Sequence, residues 1–154
     1  MSILGSAKDF RGLNSLTYSE LNKLSCEIRE MILHVTLKNG GHLASSLGAV
    51  ELTVALLRAF DPDRDKIIFD VGHQSYAYKI LTKRLDRFHT LRTKGGIAGF
   101  PRMGESPYDF FTTAHSSTSI SAAMGYAKAR DISRQNHEVV AVIGDGALLN
   151  GVSF

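Results

Sequence analysis

Apolar positions first fall into a helical rhythm at Leu21, Leu24, Ile28, Ile32 and Val35, a spacing that gathers them on one face. Thr17-Tyr18-Ser19-Glu20 precedes them as a capping box, with Thr17 as N-cap, and Gly40-Gly41 supplies the stop. Residues 47–60 predict a second, more apolar helix closed by Asp61-Pro62. The rhythm then changes, and Ile67-Ile68-Phe69-Asp70-Val71 predicts a short buried strand ending at Gly72-His73. Residues 75–91 are mostly helical in pattern, with a break near the middle. Residues 94–107 hold four glycines and two prolines, so they predict a long loop, of a length that is usually functional or mobile. Residues 116–132 predict a helix rich in small side chains. The final run, residues 139–143, has the β-branched content of a strand buried on both faces of a parallel sheet. It stops at Gly144-Asp145-Gly146, an acidic tight turn. Strands separated by helices indicate an α/β fold, a parallel sheet flanked by helices. Two strands are too few to finish such a sheet, so the domain is read as incomplete.

Composition narrows the class. At 154 residues the chain is one domain long, and 44% hydrophobic with 21% charged residues is ordinary for a soluble globular protein. No apolar stretch approaches the ~20 residues that span a bilayer, and residues 1–11 lack the apolar core of a secretory signal. Cys26 is the only cysteine, which removes a disulfide framework and a cysteine-based zinc site and points to a reducing, cytoplasmic setting. The net charge of +3 comes from basic residues spread among acids. The densest basic stretch, residues 79–92, is interrupted by Leu81, Leu85, Phe88 and Leu91. That is a solvated helical face rather than a nucleic-acid groove.

Three of the six histidines sit at chain junctions. His42 follows Gly40-Gly41, His73 follows Gly72 at a strand end, and His115 follows Ala114 and opens Ser116-Ser117-Thr118-Ser119, read as the first turn of a helix. Hydroxyls and free N–H groups at such a start favour an anion such as a diphosphate. Asp145 lies at the carboxyl end of a strand, where open α/β sheets bind ligands. A carboxylate there suits a hard cation, and the N–H groups just after it suit a phosphate. Each feature has a plainer reading. A histidine beside glycine serves as a turn residue, the Ser/Thr cluster as an N-cap, and Asp145 as a strand stop or cap. It is their repeated placement at strand ends and helix starts that draws His73, His115 and Asp145 together. His34, His89 and His137 are read as structural or solvated. Gly144-Asp145-Gly146-Ala147-Leu148-Leu149 has leucine where the dinucleotide fingerprint needs its third glycine, and no Walker A lysine follows. No H-x-x-x-H spacing supports a histidine zinc site.

Gly144-Asp145-Gly146 resembles the start of the thiamine diphosphate motif. Gly40-Gly41-His42-Leu43-Ala44-Ser45-Ser46-Leu47-Gly48, Asp70-Val71-Gly72-His73-Gln74-Ser75-Tyr76 and Lys79-Ile80-Leu81-Thr82 resemble segments of the 1-deoxy-D-xylulose-5-phosphate synthase family, as do Lys94-Gly95-Gly96-Ile97 and His115-Ser116-Ser117-Thr118-Ser119-Ile120-Ser121. The segments follow one another in the family's order and cover the chain from about Leu16 onward. Residues 1–15 are then a lead-in, and 16–154 part of a transketolase-like diphosphate-binding domain, truncated after Gly-Asp-Gly.

The resemblance implies an enzyme, homodimeric in full-length form, that joins pyruvate to glyceraldehyde 3-phosphate with loss of carbon dioxide. Its product feeds isoprenoid, thiamine and pyridoxal precursors. Asp145 would bind Mg2+, Gly146 and Ala147 would donate N–H groups to the diphosphate, and His73 with Ala114-His115-Ser116 would line the cofactor site. His42 and His73 would be catalytic, moving protons with imidazoles whose ordinary pKa of ~6.5 suits the task. Ala114 replaces the family's usual glycine, and Leu149-Asn150 differs from the small or hydroxylated residues expected there. The second protein ligand to magnesium is expected beyond Phe154, so this chain alone is expected to be inactive. Two other readings are a subunit of a split transketolase-like enzyme and an inactive relic that only associates.

Overall fold

The computed structural model describes residues 2–7 and 9–154; Met1 and Lys8 of the predicted lead-in lie outside the described residues. The chain divides into two compact units, Met1–Ala59 with Gln74–Gly99 and Phe60–His73 with Phe100–Phe154.

In the first unit, α1 (Ile3–Ala7) is followed by a 3-10 turn at Phe10–Ser15 and then by α2 (Tyr18–Asn39). The predicted capping box forms. Thr17 Oγ1 accepts from Glu20 N–H, and Glu20 Oε2 accepts from Thr17 N–H at 2.8 Å. That backbone bond holds the Glu20 carboxyl below the usual range. The predicted stripe Leu21, Leu24, Ile28, Ile32 and Val35 is buried, which is the main source of stability for a helix this long. Gly40, at φ 77°, ends it by returning its N–H to Thr36 O. Glu27 accepts from the N–H groups of Ile3 and Leu4, and so pins α1 on α2.

The helix expected over residues 47–60 is instead two, α3 (Leu43–Gly48) and α4 (Val50–Ala59). The break is at Ala49, whose N–H turns back to Ser46 O in a tighter turn, leaving Ala49 at φ −104°, ψ 7°. Arg29 on α2 forks onto Glu51 on α4 and holds its carboxyl below the usual range. Past the segment's start, α5 (Tyr76–Lys79) runs into a wide turn broken at Thr82 and Lys83 and then a 3-10 stretch, Leu85–Thr90. The expected mid-segment break is there.

In the second unit, β1 (Lys66–Phe69) and β2 (Val139–Val142) pair in parallel, Lys66 opposite Val139 and Phe69 opposite Val142. α6 (Ser119–Ile132) makes the crossover and packs on both strands. This is the α/β arrangement that the sequence predicts. Two boundaries move. β1 stops at Phe69 rather than Val71, because Val71 turns to φ 56° and Gly72 N–H folds back onto Asp70 O. β2 is only half-buried along its length rather than buried on both faces, since β1 is its single neighbour among the described residues. Among those residues no helix is long and apolar enough to cross a membrane.

Asp65 secures the start of the strand pair. Its buried carboxylate accepts from Glu138 N–H at 2.9 Å, Asp61 N–H at 2.9 Å and the Arg64 guanidinium at 2.9 Å. Burial pushes this carboxyl up, but Arg64 and the two N–H groups outweigh burial and hold it below its ordinary value. A group depressed in this way contributes its full stability above its unfolded value and loses it as pH falls through the folded one. Asp65→Asn is expected to cost about 1–3 kcal/mol near neutral pH, because buried donors lose an acceptor. The gap between wild type and variant should close as pH falls below about 4. Urea unfolding at a series of pH values checks both.

Candidate functional site

The second unit assembles its candidate site from the ends of its two strands. Beyond β1, the chain passes through Asp70, Val71 and Gly72 to His73, which is half-buried. Gly72 stands at φ 89°, and a Cβ on it would collide with the Pro101 ring. A residue with no side chain is therefore required on two grounds, backbone conformation and space. Pro101 belongs to the irregular stretch that covers the predicted loop.

Ala114, His115 and Ser116 form an exposed loop. Thr113 Oγ1 accepts from His115 N–H at 3.1 Å. The helix expected to open at Ser116 begins only at Ser119, so His115 and Ser116 precede the first turn rather than forming it. The reason is Asp70. Its carboxylate accepts from Ser117 N–H at 2.7 Å and from Ser119 N–H at 3.0 Å, so these groups are engaged by protein rather than left for an anion. Ser117, at φ 71°, is the strained residue of this stretch; Ala114 is not among the positive-φ residues described. The glycine that the resemblance leads one to expect at position 114 is thus not demanded by this backbone.

After β2, Gly144 caps α7 (Asp145–Leu148), so Gly-Asp-Gly starts a short helix rather than making a tight turn. Leu148 N–H closes that turn onto Gly144 O at 3.0 Å. The N–H groups of Asp145, Gly146 and Ala147 have no acceptor within the helix. Asp145 and Gly146 are exposed, and nothing lies within 4 Å of where a Gly146 Cβ would be. The donor set is therefore open on this side. Ala147 O accepts from Ser117 Oγ at 2.8 Å and from Ser153 Oγ at 2.9 Å. Through Ser117 the 114–116 loop and the 145–147 turn are held side by side. Asn150 is occupied elsewhere, its side chain capping Val152 N–H. Among the described residues no three His, Cys, Asp or Glu side chains gather as a metal site; Asp145 stands there as a single exposed carboxylate.

His42 belongs to the first unit. It stands at the N-cap of α3, and its N–H donates to Tyr76 Oη at 3.2 Å. Gly41 brings the chain that close: a Cβ there would sit 2.7 Å from Tyr76 Oη. Of the remaining histidines, His34 and His89 are exposed, while His137 is buried. Asp70 and Ser117 were not singled out from the sequence as functional residues. The available signal was an aspartate at the end of a buried apolar run, two residues before a glycine, where a carboxylate must find donors.

Comparison with known proteins gives the family. The family model for 1-deoxy-D-xylulose-5-phosphate synthase matches residues 4–154. The chain belongs to the 1-deoxy-D-xylulose-5-phosphate synthase family. A synthase of that name from Clostridium kluyveri is 55% identical over 153 residues, 99% of this chain and 24% of the relative. One from Geobacter metallireducens is 56% identical over 153 residues, again 99% of this chain and 24% of the relative. One from Thermus thermophilus is 55% identical over 152 residues, 99% and 25%. The chain thus spans about a quarter of the length of the synthases it matches.

The glycine geometry gives a direct test. Gly72→Ala is expected to cost roughly 2–4 kcal/mol, combining a left-handed backbone with an overpacked contact. Gly95→Ala, at φ 74° with open space around it, carries only the backbone penalty of about 1 kcal/mol. Chemical denaturation of the two variants, side by side, checks the difference.

Proposed function

We propose that residues 16–154 form part of the diphosphate-binding domain of a 1-deoxy-D-xylulose-5-phosphate synthase, preceded by a lead-in over 1–15. The observation that carries this is the Ser117–Ala147 bond, which sets an exposed loop with a histidine and hydroxyls beside an open, aspartate-led helix start. Family membership across residues 4–154 supports the same reading.

The donor set fits thiamine diphosphate with Mg2+. Gly146 and Ala147 would offer N–H groups to a diphosphate, and Asp145 would offer a hard oxygen to magnesium. Ala114, His115 and Ser116 line the same side, and His73 stands at the end of the first strand. Bound there, the cofactor supplies the nucleophilic carbon and the electron sink for decarboxylation. The chain's own part is to orient and to move protons. Asp145 and the two N–H groups fix the diphosphate end. By resemblance to the family, His42 would take up and return a proton, a role suited to imidazole, and His73 is the second catalytic candidate. In the complete enzyme the substrates are pyruvate and glyceraldehyde 3-phosphate. Carbon dioxide leaves, and the product serves isoprenoid, thiamine and pyridoxal precursors. That enzyme is a cytoplasmic homodimer.

The chain spans about a quarter of the length of the synthases it matches. It is expected to show no turnover of the two substrates in a coupled carbon dioxide assay, and steady turnover by pure material would overturn that. In the full-length protein, Asp145→Asn should weaken Mg2+-dependent thiamine diphosphate binding by about 10–100-fold. Its melting temperature without cofactor should not change, because Asp145 is exposed. Calorimetric titration with cofactor, with and without magnesium, decides it.

A further inference from the structure

Asp70 is 1% exposed, so it has no access to a substrate. Its backbone and carboxylate together nevertheless join three segments of the second unit. Its own N–H donates to Val142 O at 2.8 Å, the last rung between β1 and β2. Oδ1 takes the N–H of Ser117, and Oδ2 takes the N–H of Ser119, the first residue of α6. One buried residue therefore ties the end of the strand pair to the start of the helix that follows the 114–116 loop.

The bond to Ser117 has a further effect. Ser117 is a non-glycine residue at φ 71°, a conformation that L side chains adopt only when the surroundings impose it. The Asp70 bond fixes its N–H, and the resulting orientation carries Oγ to Ala147 O at 2.8 Å. The links run Asp70 to Ser117 to Ala147. We propose that Asp70 is a positioning residue for the cofactor: through Ser117 it sets the spacing between the 114–116 loop and the 145–147 turn. This rests on the reading of those two segments as one cofactor site.

The chemistry accounts for an aspartate in particular. Two N–H donors converge, so both oxygens must accept. Asparagine would turn an amide N–H toward one of them and leave a buried donor unsatisfied. Glutamate would add a methylene where the group is already enclosed.

The test uses the full-length protein with thiamine diphosphate and Mg2+, comparing wild type, Asp70→Asn, Ser117→Ala and the double variant. Three quantities are read: the cofactor dissociation constant, kcat and KM for pyruvate at saturating cofactor, and the melting temperature without cofactor. Asp70→Asn is expected to weaken cofactor binding by about tenfold, as when a residue that orients a ligand group is removed. Ser117→Ala should weaken it about fivefold, the worth of one hydrogen bond. The double variant should bind no more weakly than Asp70→Asn, because the two act in series. At saturating cofactor, kcat should recover and KM for pyruvate should stay unchanged.

A lowered melting temperature with unchanged cofactor affinity would make Asp70 a strut of the fold and overturn the proposal. Additive losses in the double variant would overturn the route through Ser117. If Asp70→Asn does not fold, Ser117→Ala decides alone, since it leaves both Asp70 bonds in place and removes only the link to Ala147. Unchanged affinity in that variant refutes the proposal. If wild type itself binds no thiamine diphosphate, the reading of the site falls, and this inference falls with it.

Discussion

Backbone N–H groups around the ends of the parallel strand pair must find acceptors, and in the second unit two buried carboxylates provide them. Asp65 stands before β1 and receives Glu138 N–H, just ahead of β2. Asp70 stands after β1 and receives Ser117 and Ser119 N–H, just ahead of and within α6. Between these brackets lie only four paired residues on each strand. A pair that short is marginal by itself, so its register depends on the acids at its ends. The irregular backbone that carries the candidate site begins where the second bracket closes. Fold and site share the same atoms there.

The first unit answers the same need differently. Its helices satisfy their own backbone, and only the ends call for side chains: Thr17 and Glu20 at the start of α2, Glu27 for the opening residues of α1. The interior is an apolar stripe on α2 and the aromatic residues Tyr76 and Phe88, which meet edge to face. His42 rests on that interior through Tyr76 Oη, so a candidate proton-transfer residue is set by a packed aromatic side chain rather than by a charged network.

What could be read from the sequence follows from how local each cause is. The capping box, the Leu21–Val35 stripe and the Gly40 stop lie within one helix, and their spacing is enough to specify them. The α/β class and the loop over residues 94–107 were equally legible, since glycine, proline and β-branched runs act on their own neighbours. The break at Ala49 was not, because residues on both sides of it favour a helix. The start of α6 was misplaced by three residues because it is decided by Asp70, 47 positions before Ser117. The half-burial of β2 reflects its single neighbour among the described residues, which no periodicity records. For the candidate site, the positions of His115 and Asp145 came from recognisable motifs. Their linkage through Ser117 had no such trace: a serine at positive φ looks in sequence like any other member of a Ser/Thr cluster.

The bracket at Asp65 also orders events in time. Its acceptor and the Glu138 N–H are 73 residues apart, and the strand between the two acids has nothing to pair with until residues 139–142 exist. At ribosomal speeds of about 5–20 residues per second, that interval lasts roughly 4–15 s. Through it, Ile67, Ile68 and Phe69 remain an unpaired apolar segment on a growing polypeptide. In the first unit residues 1–59 have already been made, and Gln74–Gly99 follow early in that interval. The nascent chain therefore carries an early helical body beside a late, non-local sheet of high contact order, and its period of greatest exposure to aggregation or chaperone capture is the synthesis of the loop and helix in between.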